Sequence, residues 1–272
     1  MKKVGVIWIG HADYLGGGVD TVVGEIQSAL SSIDSVGIDP PVVVTSDAQA
    51  VRAARAVLQS DFCGAILVLT SWVECNVVMS AVKELRGLPA IIWGFPSQNV
   101  RGQEINTGSY VSAAMFSGVV KRASLHAQML IGSWEDAGVL ARLCAYTRAA
   151  STADLLFYGK IGLFGYTSMS IYPGTFDHVL LRSRIGPEVE HMDSYSLISA
   201  AEAVPDETVE ESIRLLTRTT QIQSNVQPEI LKKTMRLYAA LQSFVSEHHW
   251  AAVNVKRSEE QTSELQSRQS IS

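Results

Sequence analysis

The sequence predicts an α/β protein of two consecutive units, each a parallel sheet with helices wound over both faces, the second one truncated. Three observations lead there. Short runs rich in Val and Ile alternate with longer segments of helical period, the runs are continuously apolar rather than alternating, and the pattern stops near residue 157 and restarts at Lys160. A continuously apolar strand is buried on both faces, and a parallel sheet meets that need because its crossover helices cover both sides. Right-handed crossovers follow, giving doubly wound, Rossmann-like units.

In the first unit, residues 1–157, strands are expected at Val4–Ile9, Pro41–Thr45, Ala65–Thr70, Ala90–Trp93 and Leu125–Ile131. Helices are expected between them, over 19–32, 47–59, 74–85, 107–121 and 134–151, the last bridging into the second unit. The opening "MKKVGVIWIGHADY" has the lysines and apolar run of a signal peptide, but the run is too short and lacks a small-residue cleavage site, so it reads as the first strand. In the second unit, 158–256, "KIGLFGY" at 160–166 is a strand, followed by a helix near 174–184 and the short strand "EVEHMD" at 188–193. Helices near 206–220 and 227–247 and a strand at 251–255 complete it. Pro228 suits a first helical turn, and Ile230, Met235, Leu237, Leu241, Phe244 and Val245 suggest one apolar stripe.

Composition narrows the functional classes. At 272 residues, 47% hydrophobic and 18% charged, the chain can bury a large core. Its 22 Lys and Arg against 27 Asp and Glu, net −5, offer no basic footprint for nucleic acid or an anionic membrane. The most apolar window, "CGAILVLTSWV", is bounded by Asp61 and Glu74 and is too short to span a bilayer, so a soluble protein is expected. Cys63, Cys75 and Cys144 are odd in number and not closely paired, which fits small core residues in a reducing cytoplasm.

Ligands of open parallel sheets bind beyond the carboxyl ends of the strands. After the first strand, "GHADYLGGGVD" offers His11, Asp13 and Tyr14 beside Gly16, Gly17 and Gly18. The glycines lack the G-x-G-x-x-G and phosphate-loop spacings, so a dinucleotide site is poorly supported. The loop reads either as a hydroxyl-binding surface or as a tight turn in which His11 bonds backbone. After the third strand, Trp72 in "TSWVECN" is either a platform for a sugar face or a core residue behind a capping serine. The long polar loop after the fourth strand offers Gln98, Asn99 and Arg101 to hydroxyls, to a neighbouring subunit or only to solvent. Metal and nucleophile signatures are absent: His248, His249 and Glu247 look like a solvated helix end, and Glu135 and Asp136 look like first-turn carboxylates.

Taken together, these segments resemble the L-fucose isomerase and L-arabinose isomerase family, its fucose-isomerase-like branch, over nearly all of residues 1–256. The most telling piece is "IGLFGYTSMSIYPGTFDHVLLRSRIGPEVEHMD", with Tyr172, Phe176, Asp177, Gly186, Glu188 and Glu190 in the family's order. "GHADY", "TSW", "IIWGFP" and "LHAQMLIGSWEDAG" support it. The resemblance implies a metal-dependent aldose–ketose isomerase of carbohydrate metabolism, acting on a sugar such as L-fucose or L-arabinose as a homo-oligomer. His11, Asp13, Tyr14 and Trp72 are the expected substrate-binding residues. In the family, Mn²⁺ polarises the sugar oxygens while a carboxylate moves a proton between C1 and C2. The resemblance places the first ligand carboxylate after the strand matched by "AAVNVK", beyond residue 256, so no catalytic residue, bound metal or turnover is expected of this chain.

Residues 257–272 read as a non-native polar tail. "RSEEQTSELQS", Arg257 to Ser267, resembles the translation of a common sequencing-adapter read, with Gln261 the single departure. Two other readings stay open: a sugar-binding sensor module of periplasmic-binding-protein-like architecture, and a two-unit amino-acid racemase. The racemase would need a cysteine in each half, and Cys75 has no counterpart in the second unit.

Overall fold

The computed structural model describes residues 2–16, 18–37, 39–165 and 175–256. Gly17, Tyr172 and the tail 257–272 lie outside the described residues. The chain divides after Asp154 into two compact units.

The first unit is a five-stranded sheet, all parallel, made of β1 (Lys3–Ile9), β2 (Val43–Val44), β3 (Phe62–Leu69), β4 (Ala90–Gly94) and β7 (Ala127–Ile131) in the order β2-β1-β3-β4-β7. Seven of the eight residues of β3 and all of β4 are buried, the two-sided burial that a continuous apolar run requires. Alternate residues serve opposite cores. Trp8, Ile66, Val68, Ile91 and Trp93 pack beneath α1 (Gly18–Ser31) and α5 (Ala137–Tyr158). Ile7, Ile9, Leu67, Leu69 and Ile92 pack beneath α2 (Asp47–Gln59), α3 (Cys75–Glu84) and α4 (Ser109–Arg122). Burying each such side chain contributes about 1.5–3 kcal/mol, so the sheet and its two helical layers stabilise one another. The unit is therefore doubly wound.

Several local expectations need correction. The second strand is two residues long, not five; Val42 beside it is 72% exposed, so the edge strand is paired only where it meets β1. The loop after β4 folds into a hairpin of β5 (Gln98–Val100) and β6 (Gln103–Ile105), turned by Arg101 and Gly102, both at positive φ. The helix expected to end at 151 continues to Tyr158.

The second unit holds a three-stranded parallel sheet, order β10-β8-β9, from β8 (Lys160–Phe164), β9 (Glu188–Met192) and β10 (Ala252–Val255). Its helices are α6 (His178–Arg184), α7 (Ser194–Glu202), α8 (Asp206–Thr219) and α9 (Pro228–His248). The α7 helix has no counterpart among the expected elements; it starts on Asp193, whose carboxylate accepts the Tyr195 amide at 2.6 Å. Phe164, Leu197, Ala201, Ala240 and Trp250 form the core, with Leu241, Phe244 and Val245 against it. Ile230 and Leu237 do fall on the stripe, within about 40° of Phe244 and Leu241 at about 100° per residue, yet they are 56% and 38% exposed, because the core packs against the C-terminal half of α9, from Ala240 to Val245. Among the described residues, no helix is long and apolar enough to cross a membrane.

Candidate functional site

The sheet order reverses direction between β1 and β3, so their carboxyl ends open the crevice where ligands of such sheets bind. Gly10 leaves β1 with no room for a side chain, since a Cβ there would lie 2.6 Å from Thr70 Oγ1. Thr70 ties the two ends together, donating from its amide to Ile9 O at 2.7 Å and from its hydroxyl to the same carbonyl at 3.1 Å. The His11 amide then donates to Ser71 Oγ at 3.0 Å. Beyond this seam Ala12–Tyr14 form one 3₁₀ turn capped by His11, whose Nδ1 accepts the Asp13 amide at 3.2 Å.

This brings all four expected residues to one crevice. The His11 ring meets Trp72 edge-on at 5.4 Å and Tyr14 edge-on at 5.9 Å, while Tyr14 and Trp72 are 6.5 Å apart at 37°. Asp13 stands at the rim, its Oδ2 3.7 Å from His11 Nδ1. Trp72 is half-buried and Tyr14 is 45% exposed, so aromatic surface remains open to solvent. Trp72 is held from behind: its amide donates to Thr107 O at 2.7 Å, and Ser112 Oγ accepts the Val73 amide at 2.8 Å. Gly108, at φ 79°, passes so close that a Cβ would lie 2.9 Å from Trp72 Cβ.

One member was missed. Glu74, which the sequence marks only as a helix start, has its Oε1 3.4 Å from His11 Nε2. Because Nδ1 is an acceptor, a neutral His11 carries its proton on Nε2, facing Glu74. A carboxylate so soon after a strand that neighbours β1 was the available signal; that it meets His11 depends on the strand order. Gln98, Asn99 and Arg101 do not join the crevice cluster. Gln98 Oε1 accepts Ser133 Oγ at 2.6 Å, Arg101 faces Glu25 at 3.4 Å, and Asn99 is exposed in the hairpin. Cys75 opens α3 as a free thiol. A separate cavity of 480 Å³ beside β2 and α2, lined by Val43, Arg52 and Phe62 among others, contains none of the four expected residues.

The donors here do not fit a hard six-coordinate cation. Asp13 and Glu74 approach opposite nitrogens of one imidazole, so their oxygens diverge instead of meeting at a point 2.0–2.6 Å away, roughly the distance such ions need. Among the described residues no three His, Cys, Asp or Glu side chains form a group able to hold a metal ion. The Mn²⁺ that the resemblance implies therefore does not fit these residues.

The arrangement can instead bind neutral polar molecules. It pairs an aromatic shelf with two carboxylates and an imidazole, and none of these groups needs to change charge to hold a hydroxyl. No family model matches the chain, and no curated protein matches it.

Proposed function

We propose that the crevice at the ends of β1 and β3 binds a sugar, in an aldose–ketose isomerase of the L-fucose and L-arabinose type that the sequence resembles. The observation that carries this reading is the half-open Trp72 ring set beside His11, with carboxylates on either side. The C–H face of a sugar is apolar and packs on an aromatic ring, while its hydroxyls donate to Glu74 and Asp13 and accept from a His11 Nε2–H. The exposed Tyr14 and Asp13 leave one side of the crevice for a second copy of the chain to close. In this reading the chain contributes recognition; proton transfer between C1 and C2 calls for a metal and a base that these residues do not supply.

The test is titration of the protein with L-fucose and L-arabinose, followed by calorimetry and tryptophan fluorescence. Trp72→Ala is expected to weaken binding at least tenfold, corresponding to about 1.4 kcal/mol or more, with an unchanged far-ultraviolet spectrum. Equal affinity in the variant, or no binding of any aldose, overturns the proposal. Turnover of the bound aldose by the product of the whole gene with Mn²⁺ separates the isomerase from a sugar sensor, which binds and does not convert.

A further inference from the structure

His178 and His191 meet in the second unit across thirteen residues of sequence, with their Nε2 atoms 3.2 Å apart. The ring centroids are 4.9 Å apart and the planes 44° from parallel. Each ring is placed by regular structure. His191 is the penultimate residue of β9, in register with Leu163 of β8. His178 is the first residue of α6, whose start is set by Asp177, a cap that accepts the Leu180 amide at 2.9 Å. Phe176 lines both imidazoles, 4.4 Å from His178 and nearly parallel to His191 at 6.1 Å.

Two imidazole nitrogens facing each other have room for one proton between them, because one ring must donate and the other accept. A divalent metal can replace that proton and be bonded by both lone pairs. With metal–nitrogen bonds of about 2.0–2.1 Å, two nitrogens are about 3.3 Å apart in tetrahedral coordination and about 2.9 Å apart at right angles. The observed 3.2 Å falls between these values. The ion would lie about 1.3 Å off the line joining the nitrogens, a shift that small ring rotations supply. Desolvation by the surrounding protein atoms, then the charges of His178 and Lys256, lower the proton affinity of His191, which is itself exposed, and favour the neutral ring that a metal needs.

We infer that His178 and His191 form a two-histidine site for a divalent late transition metal of the zinc class, with water completing its coordination. Imidazole nitrogens select zinc, copper or nickel over magnesium and calcium. The site differs in donor chemistry from the carboxylate-bound Mn²⁺ of the isomerase resemblance, and it stands whether or not the sugar proposal holds. A bound ion would join the first turn of α6 to the end of β9, so its binding energy would stabilise the fold of this unit.

Untagged protein titrated with Zn²⁺ in a calorimeter is expected to bind one ion per chain at this pair and to unfold at higher temperature with Zn²⁺, with no shift from Mg²⁺. His178→Ala and the size-conserving His191→Gln should each weaken Zn²⁺ binding by about tenfold or more. His248→Ala, which removes an imidazole outside the pair, should retain it. Cu²⁺ on the unaltered protein provides a readout independent of any variant's folding: an electron paramagnetic resonance spectrum with two coordinated imidazole nitrogens. Zn²⁺ affinity equal in the unaltered protein and the His178 and His191 variants, loss on His248→Ala alone, or a Cu²⁺ spectrum lacking two nitrogens would each overturn the assignment.

Discussion

Trp250 donates its indole hydrogen to Glu190 Oε2 at 2.7 Å, while the other oxygen of that carboxylate takes the Lys160 ammonium at 2.6 Å. Three parts of the second unit meet on one side chain: β9 through Glu190, β8 through Lys160, and the residues after α9 through Trp250. His248, at the end of α9, adds Nδ1 at 3.4 Å and stacks on the indole at 4.9 Å. It is thus part of this cluster and not the solvated end that its sequence suggests.

Glu190 should make this unit acid-sensitive. Lys160 first, and then Trp250, hold its carboxyl below the usual carboxylate range. A group whose folded value is lowered contributes stability that is complete above the unfolded value, about 4.3, and is lost as pH falls through the folded one. Glu190→Gln should therefore lower the urea midpoint at neutral pH, and the gap to the unaltered protein should close progressively below about pH 4.3. A gap that widens on acidification would contradict the assignment.

Gly162 in β8 is paired on both sides, with Val253 and with Glu190, and lies under the Trp250 ring, where an added Cβ would come within 2.2 Å of Cε3. Neither the central strand nor the hydrogen-bonded indole can move freely. Gly162→Ala should cost about 2–3 kcal/mol, the upper part of the range for overpacked cores. Denaturant unfolding checks it, and a loss under about 0.5 kcal/mol would show that the ring swings aside.

Tyr146 sends its hydroxyl into the first unit's sheet, where it accepts the Ala65 amide at 3.1 Å and faces the carbonyls of Ala65 and Pro89 at 2.9 and 2.8 Å. Burial pushes its phenol up, so its contribution is complete below the ordinary tyrosine value of about 10 and is lost as pH rises through the folded value. Tyr146→Phe should cost about 1–2 kcal/mol at neutral pH. In alkaline difference spectra, one tyrosine fewer should ionise when the variant unfolds; an unchanged amplitude would refute a protected Tyr146.

Gly108→Ala tests how the crevice is built. At φ 79° and 2.9 Å from Trp72 Cβ, a methyl is strained by about 1–2 kcal/mol and must displace the tryptophan. Sugar affinity should fall severalfold with the secondary structure intact. Unchanged affinity would mean that Trp72 is placed without this contact.

The expected site was legible as two loops facing one cleft, with His11, Asp13, Tyr14 and Trp72 in it, but not in its ring contacts or in the place of Glu74. A loop at the carboxyl end of a parallel strand announces itself through polar and aromatic residues, as "GHADY" and "TSW" do. Which loops become neighbours depends on strand order, and β1 pairing with β3 is what sets His11 against Trp72 and Glu74. In the second unit, Phe176, Asp177 and Glu190 stand out for the resemblance they carry, whereas the contact of His178 with His191 requires α6 to start beside the end of β9.

The sequence by itself determined the alternation of elements and the two-sided burial of the first sheet. Runs such as Ala65–Leu69 have no polar face to give to water, and local periodicity dictates which residues must leave it. Short elements with weak patterns escaped: α7 buries only Leu197 and Ala201, and the β5–β6 hairpin is polar throughout except at Val100 and Ile105. The tertiary structure decided which stretch of α9 is buried, where Trp250 rests and which ionisable groups pair. Those outcomes depend on distances between segments remote in sequence, and such distances are set by strand register and core shape, which local propensity does not encode.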